Sequence, residues 1–426
     1  MRKPLTILTM LLLTFTAHAQ QMYNPLAVDL TRSILKDLFE SNAVPYIQPM
    51  VNTINATSNA RFYDRAYVPK SVDKPYVRVS INGMVGYINE DQRWYVPTID
   101  LGPRVNVFTE LPKYGQIFID QNGPRYEIGD SYEDTLGLAT MLVKELFRDC
   151  QDSGYIVTPD SAATLFGYKP DNKVLLPTND QLLEVLRNRP EYKLLDSAGQ
   201  AGLENLLANV KMVGFLTLPP GVDMSKIIAA VPQIEIGSFY GTELLVRYVP
   251  PVEFDPNVGK FSFWGIGLKH SLSQYFPERY FDLAVQGIYQ GTTLRNTVGF
   301  TESKLEADAT IFSANIHASK NLWDVVDVYT GLAWETISVT STYTYVLPQE
   351  TQIELGLLPK PPPGEPAVPT PEQPGDQNPQ TSVVTAGNTN VKWTIGASVY
   401  YGPVRLALDY NVSTFNIFSM GLSYQF

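Results

Sequence analysis

The chain has 426 residues, with 43 acidic against 32 basic side chains and a formal net charge of −11. That balance argues against a nucleic-acid partner, which selects a basic face, and the single cysteine, Cys150, excludes an internal disulfide framework. Abundant Tyr and Phe, many Gly and Pro, and few charged residues fit an exported β protein.

The first element is a targeting segment. Met1-Arg-Lys gives a short positive region, Leu5 to Phe15 an apolar stretch, and Ala17-His18-Ala19 a small-x-small cleavage site before Gln20. The expected mature chain begins at Gln20 and is exported. No Cys follows the cleavage site, which argues against a lipid-anchored lipoprotein. No later stretch offers roughly 18 or more uninterrupted apolar residues, so a helical membrane protein is excluded.

Residues 20–50 read as an amino-terminal helical segment. Thr31, Ile34, Leu35, Leu38 and Phe39 recur at helical spacing, which makes Leu26 to Glu40 an amphipathic helix. It must bury its apolar face, and a barrel lumen is the nearest shelter, so it is a candidate hatch. Strands are expected at Asn59 to Tyr67, Tyr76 to Ile88, Trp94 to Leu101 and Lys211 to Leu218, with a hairpin around Gln121-Asn-Gly123. Between them, helices are expected at Tyr132 to Cys150, Asp180 to Arg189 and Ala201 to Met212, together a helical insertion over about 131–210.

From Ile234 onward the chain alternates with period two. Ile234 and Ile236 oppose Glu235; Leu244, Val246 and Tyr248 oppose Glu243 and Arg247; Trp264, Ile266 and Leu268 oppose Lys269. Phe281, Leu283, Val285 and Tyr289 oppose Asp282, Phe312 and Ile316 oppose Asn315 and His317, and Val328, Leu332 and Trp334 oppose Asp327 and Glu335. Val391, Trp393 and Ile395 oppose Lys392; Leu406, Leu408 and Tyr410 oppose Arg405 and Asp409. The last segment puts Phe418, Met420, Leu422, Tyr424 and Phe426 on one face and only small or polar residues on the other. Apolar faces with aromatic ends suit lipid with an interface on each side, and the opposite faces suit a lumen. The expected fold is therefore all-β, a transmembrane antiparallel β-barrel over residues 51–426 of about 14 strands, within a range of about 12–16. The lumen-lining candidates are Glu235, Glu243, Arg247, Lys269, Asp282, Asn315, His317, Asp327, Glu335, Lys392, Arg405 and Asp409. A charge on the lipid face costs roughly 2–4 kcal/mol at mid-membrane, so their shared parity is what a barrel requires.

Counting strands back from the carboxyl end, which lies at the periplasmic side of such barrels, places residues 348–390 outside the cell. That stretch holds Pro359, Pro361, Pro362, Pro363, Pro366, Pro369, Pro371, Pro374 and Pro379. Its composition favours extended polyproline structure and reads as a disordered or semi-rigid loop.

Catalysis has no constellation to rest on. His18 leaves with the signal, and the residue two on from His270 is Leu272, not a serine that would share its face. No metal-ligand spacing and no phosphate-cradling glycine loop occurs, so no catalytic residue, metal or cofactor is expected.

Pro45-Tyr-Ile-Gln-Pro49, Leu165-Phe-Gly167, Pro232-Gln233, Gly241-Thr-Glu-Leu-Leu-Val-Arg-Tyr-Val-Pro250, Gly265-Ile-Gly-Leu-Lys-His270 and the Ser319-Lys320 turn carry a resemblance to uncharacterised outer-membrane β-barrels of Bacteroidetes-type bacteria. That resemblance implies a fold and a cell outer-membrane location, and no activity. More distantly, a helix preceding a barrel of this size is similar to the long-chain fatty-acid transporter family, which implies a hatch inside about 14 strands and a small hydrophobic ligand. The expected partners are outer-membrane lipid and that ligand class. The expected function is passive transport of a small molecule, with a non-transporting surface scaffold or adhesin as the alternative and an outer-membrane enzyme third.

Overall fold

The structure is a computed structural model that describes residues 23–426, apart from 74, 121–122, 194–196, 198–199, 202, 205–206, 208–213, 256–258, 277 and 299–302. Ten strands form a closed antiparallel barrel: β1 (Tyr76–Tyr87), β2 (Lys226–Phe239), β3 (Thr242–Asp255), β4 (Gly259–Ser271), β5 (Asp282–Val298), β6 (Ser303–Leu322), β7 (Val326–Tyr345), β8 (Gln380–Tyr401), β9 (Val404–Val412) and β10 (Ile417–Gln425). Each strand pairs with its neighbours in sequence, and β10 closes on β1 with Arg78 opposite Gln425 and Gly86 opposite Ile417. Closure removes the unpaired edge that an open sheet would expose.

The two rims differ. At the carboxyl-terminal rim the links are short. Tyr240 and Gly241 both take positive φ, 49° and 77°, as a two-residue hairpin turn requires, and Gly402-Pro403 makes another tight turn. At the opposite rim, residues 88–225 join β1 to β2 and residues 346–379 join β7 to β8. The long links fold together as a cap.

The wall is apolar outside, and its inner face is charged and polar toward the carboxyl-terminal rim and apolar toward the cap, where Ile311, Ile337 and Val339 face inward. Ile81, Ile266, Ile316, Leu332, Leu408 and Met420 are exposed, while their strand neighbours are buried in alternation. Aromatics border this band. Trp264 meets Tyr289 and Phe312 meets Trp334 toward the cap, with ring centroids 5.7 and 5.9 Å apart; Tyr280, Trp323, Tyr401 and Phe426 stand exposed at the other rim. Among the described residues no helix is long and apolar enough to cross a membrane.

Helix α1 (Pro25–Ser58) starts at Asn24, whose side chain accepts from Leu26 N at 3.0 Å, with Pro25 at its first position. At 1.5 Å per residue it is about 50 Å long. Its first half presents Leu26, Leu30, Ile34 and Leu38, four residues apart, to the cap core. There they meet Val143 and Phe147 of α2 (Tyr132–Asp152), Leu182 of α3 (Asn179–Asn188), and Leu347 and Leu355 of the β7–β8 link. Ser131 caps α2 by accepting from Asp134 N, and Glu133 and Asp134 sit in its first turn, where carboxylates suit the helix dipole.

Several expectations are corrected. The barrel has ten strands, not about fourteen, because three amino-terminal segments do not join it. Asn59 to Tyr67 is an irregular segment, only Trp94–Tyr95 of the next forms a ladder, with Ala162–Ala163, and Phe215–Thr217 pairs with Lys173–Leu175 in the cap. Gly115–Asp120 and Gly123–Ile128 pair outside the barrel. A short alternation makes a two-residue ladder as readily as a stave, so period alone could not separate them. The first helix continues past Glu40 through Pro45 and Pro49 to Ser58. Its last turns are held by side chains that bond back to the helix, with Thr53 donating to the Pro49 carbonyl and Thr57 to that of Thr53, both at 2.8 Å. The helices expected at Tyr132 to Cys150 and Asp180 to Arg189 lie at Tyr132–Asp152 and Asn179–Asn188, within the longer link 88–225. The proline-rich link ends before Gln380, where β8 begins, and it is folded. Leu355, Leu357 and Leu358 are buried, Asp376 N donates to Gln352 Oε1 at 2.8 Å, and buried Asp376 pairs with Arg32 of α1. The prolines drew attention from the leucines that precede them. Residues 1–19, Ala19 and Gln20 at the expected cleavage site, and most of Ala201 to Met212 lie outside the described residues.

Cys150 reports on the cap. Its side chain is fully buried, and burial, with the neighbouring Asp149 carboxylate second, pushes the thiol up to about 12. A thiol so held is neither ionised nor reachable at neutral pH. Folded protein is therefore expected to resist maleimide and to label at once in denaturant; comparable labelling in both states would contradict the packed cap.

Candidate functional site in the barrel lumen

The lumen is occupied by the chain itself. The second half of α1 enters from the cap rim, where Ile47 and Val51 pack on Ile311, Ile337 and Val339, and Ala56 lies near Met84 and Phe263. Residues 59–68 then continue to the other rim, where Gly241 N donates to Pro69 O at 3.2 Å, and β1 begins there. At the level of Asn59 to Tyr63 the remaining cavity is about 10 Å3, too small to serve as a path.

The end of α1 leaves backbone carbonyls without helical partners, and the barrel wall supplies cations for them. Arg247 of β3 donates to the carbonyls of Ser58, Ala60 and Arg61 at 2.8, 2.7 and 2.8 Å. Its guanidinium also stands 4.3 Å over the Phe62 ring, and Lys392 of β8 donates to the carbonyl of Asn59. Arg61 turns the chain with φ 60°, a left-handed conformation costly for a residue bearing Cβ. Its guanidinium offsets that cost by donating to Asp409 and to the Tyr329 hydroxyl, both at 2.7 Å.

Below this clasp lies a buried ion-pair network. Asp64 accepts from Arg78 at 3.0 Å and Arg405 at 2.5 Å; Arg78 also pairs with Glu235 and Glu243, and Glu243 with Lys269 at 2.5 Å. Tyr63 stacks on His317 with ring centroids 3.9 Å apart, and His317 Nδ1 meets Asn315 Oδ1 at 2.8 Å. Glycines make room for these side chains. A Cβ on Gly421 would lie 2.6 Å from Arg61 Nη2, and one on Gly331 would lie 2.4 Å from the Tyr63 hydroxyl.

Among the described residues, the buried Arg61, Arg78, Arg247, Lys269, Lys392 and Arg405 face the buried Asp64, Glu235, Glu243, Asp327, Glu335 and Asp409 inside the barrel, and half-buried Arg65 of the same segment adds a further cation. The two signs nearly balance, so neither dominates the interior.

Of the residues singled out in the sequence, Glu235, Glu243, Arg247, Lys269, Asn315, His317, Asp327, Glu335, Lys392, Arg405 and Asp409 are buried inside the wall. Glu335 pairs with Lys392, and Asp327 accepts from Asn321 at 2.9 Å. Asp282 has inward parity, but as the first residue of β5 it sits half-buried at the rim and pairs with Arg279 at 2.7 Å. His270 is on the outer side near the same rim, with Thr242, Gln274 and Tyr275 around it. Among the described residues no group of three or more His, Cys, Asp or Glu is placed to hold a metal ion. Sequence reading missed Arg61, Tyr63, Asp64 and Arg78. Arg78 carried a usable signal, since Val77, Val79 and Ile81 alternate with Arg78, Ser80 and Asn82.

Asp64→Asn removes the shared partner of two buried guanidiniums, and breaking such a pair costs about 3–5 kcal/mol. The expected result is a clear fall in the temperature at which the folded band converts to the unfolded one on unboiled gels. Gly421→Val, which crowds the Arg61 guanidinium without removing a charge, is expected to lower it too; unchanged midpoints in both would mean the plug does not depend on these contacts.

No curated protein matches the chain. Among solved structures it is similar to Ail, the attachment invasion locus protein of Yersinia pestis, at 9% identity and TM-score 0.20, over 43% of this chain and 93% of that one. It is also similar to Salmonella typhi OmpF in complex with daunomycin, at 9% identity and TM-score 0.13 over 83% and 97%. A third is Pseudomonas aeruginosa OpdK with vanillate, at 8% identity and TM-score 0.11 over 83% and 99%. Scores this low carry no argument about the present chain. The family match is of a different order: residues 1–426 match throughout, and the chain belongs to the Family of unknown function (DUF6588).

Proposed function

We propose that the chain is an outer-membrane barrel, closed in its resting state, that anchors a folded cap at the cell surface. The apolar outer band bordered by aromatics supports the membrane location, together with the export signal read at Ala19 and Gln20. Short turns face the periplasm in such barrels and long links face outward, which puts residues 88–225 and 346–379 outside. The observation that carries the closed reading is the lumen filled by residues 47–68 and pinned by Arg247, Lys392, Arg78 and Arg405.

Passive transport of a small molecule, hydrophobic ones included, is the second reading, and one feature favours it. Residues 59–66 meet the wall through many charges and hydrogen bonds, with Phe62 and Tyr63 packed on Leu245, Ile288 and Tyr329. Once those two rings are drawn off the wall the remaining contacts are polar ones that water can replace, so displacement of the plug would open a wet path. The ten-stranded barrel departs from the fourteen strands that the fatty-acid transporter resemblance implies.

Planar-bilayer recording separates the readings. Wild-type protein is expected to be silent, and Arg247→Ala combined with Lys392→Ala to show bursts of conductance at least several-fold above it; steady wild-type conductance would overturn the closed reading. Migration that does not change on boiling would overturn the barrel in membrane.

A further inference from the structure

The outer wall is not uniform. Strands β5 to β8 have 17, 20, 20 and 22 residues, whereas β1, β2, β9 and β10 have 12, 14, 9 and 9. On the tall side one cross-strand row of outward residues reads Leu268, Gly287, Ala314, Trp334, Val391. The row beside it reads His270, Val285, Ile316, Leu332, Trp393. Two small residues, Gly287 and Ala314, sit between large ones, and the wall sinks there into an open groove of about 620 Å3. The groove lies within the apolar band, and its Trp334 end reaches the cap-side aromatics.

Directly beyond that end the surface changes character. On β7 and β8 the next outward residues are Thr336 opposite Thr389, Ser338 opposite Gly387, and Thr340 opposite Thr385. Thr336 and Thr389 bond to each other at 2.9 Å, and Ser338, Thr340, Thr385 and Thr389 are exposed. The strands here are regular, so hydroxyls recur every second residue along β7 and flank Gly387 on β8, with the two strands about 4.8 Å apart. On β7 and β8 these positions carry no charge, and on β6 the residue opposite Thr340 is the carboxylate Asp308. On the neighbouring strands Arg295 is already committed to Asp308, at 2.9 and 3.1 Å.

We propose that this face binds a membrane lipid with a saccharide headgroup, its acyl chain in the groove and its sugar on the threonine shelf. The inference rests on the outer-membrane reading. An acyl chain suits a groove whose walls are aliphatic and which opens to lipid. Hydroxyls, each both donor and acceptor, match a sugar better than a phosphate, which would select a free guanidinium or ammonium. Because the shelf lies at the cap end, the lipid belongs to the outer leaflet. His270 at the opposite end is engaged with Thr242, Gln274 and Tyr275, so an inner-leaflet headgroup would have to displace those bonds.

The test uses the full-length exported protein, reconstituted in phosphatidylethanolamine vesicles with or without lipopolysaccharide, re-extracted, and weighed as intact complexes. Wild type is expected to retain lipopolysaccharide in preference to phosphatidylethanolamine. Gly287→Leu fills the groove, and an added Cβ there meets nothing within 4 Å, so the barrel accommodates it. Thr336→Val with Thr340→Val removes hydroxyls and keeps side-chain shape. Each variant should retain lipopolysaccharide at least several-fold less. Equal retention in all three proteins, retention of phosphatidylethanolamine in its place, or cross-linking of two copies through position 287 would each overturn the proposal while leaving the membrane barrel intact. Failure of the wild type to enter vesicles would overturn both.

Discussion

The architecture depends on cations of the barrel wall meeting the carboxyl end of α1. A helix that ends inside a dry lumen presents free carbonyls where water cannot reach them, and each is costly if unpaired. Arg247 meets the Ser58 carbonyl of the last turn and those of Ala60 and Arg61 just beyond it, and Lys392 meets that of Asn59, from strands on different sides of the barrel. The wall thereby specifies where the helix stops and where the chain turns. Buried ion pairs of this kind contribute little net stability relative to apolar packing, and their best-attested use is to select one register. Here the register selected is that of the plug.

The rest of the barrel follows from turning the usual burial rule inside out. With lipid outside, the polar set must go inward, and ten strands enclose only enough space for one segment of chain. Glycines at 331 and 421 mark where that segment comes closest to the wall. Near-equal numbers of cations and carboxylates let the interior close with most of its charges paired.

Much of the wall was legible because lipid enforces strict alternation. The carboxyl-terminal strands could be read residue by residue, and the inward charges with them. The amino-terminal third could not, for a specific reason. Asn59 to Tyr67 mixes polar, aromatic and charged residues as a strand would, yet key charges it carries are answered by side chains distant in sequence, such as Asp409 for Arg61 and Arg405 for Asp64. Pro45 and Pro49 sit inside α1, although proline disfavours a helix interior. Propensity is a local quantity, and contacts in the cap and lumen outweigh it. The proline-rich link misled in the opposite sense, since Leu355, Leu357 and Asp376 fix it to α1 and the cap.

The chain's route explains why the cap and the plug form one mechanical unit. α1 crosses from cap to lumen without interruption, held above by Arg32 on Asp376 and Lys144 on Asp37, and below by the clasp and Asp64. A helix transmits displacement along its axis because each turn is bonded to the next. Withdrawal of the plug toward the cap rim would therefore require the Arg32 pair, seated in the cap core, to break together with the Asp64 pairs. Withdrawal toward the other rim would drag Leu26, Leu30, Ile34 and Leu38 out of that core. The lower segment alone has a separate option: residues 59–66 could leave the wall while α1 stays seated, since α1 ends at Ser58, although Phe62 and Tyr63 must then be drawn off Leu245, Ile288 and Tyr329. Any opening compatible with an intact cap must therefore begin at Arg61, where the backbone is already strained and one guanidinium holds the turn.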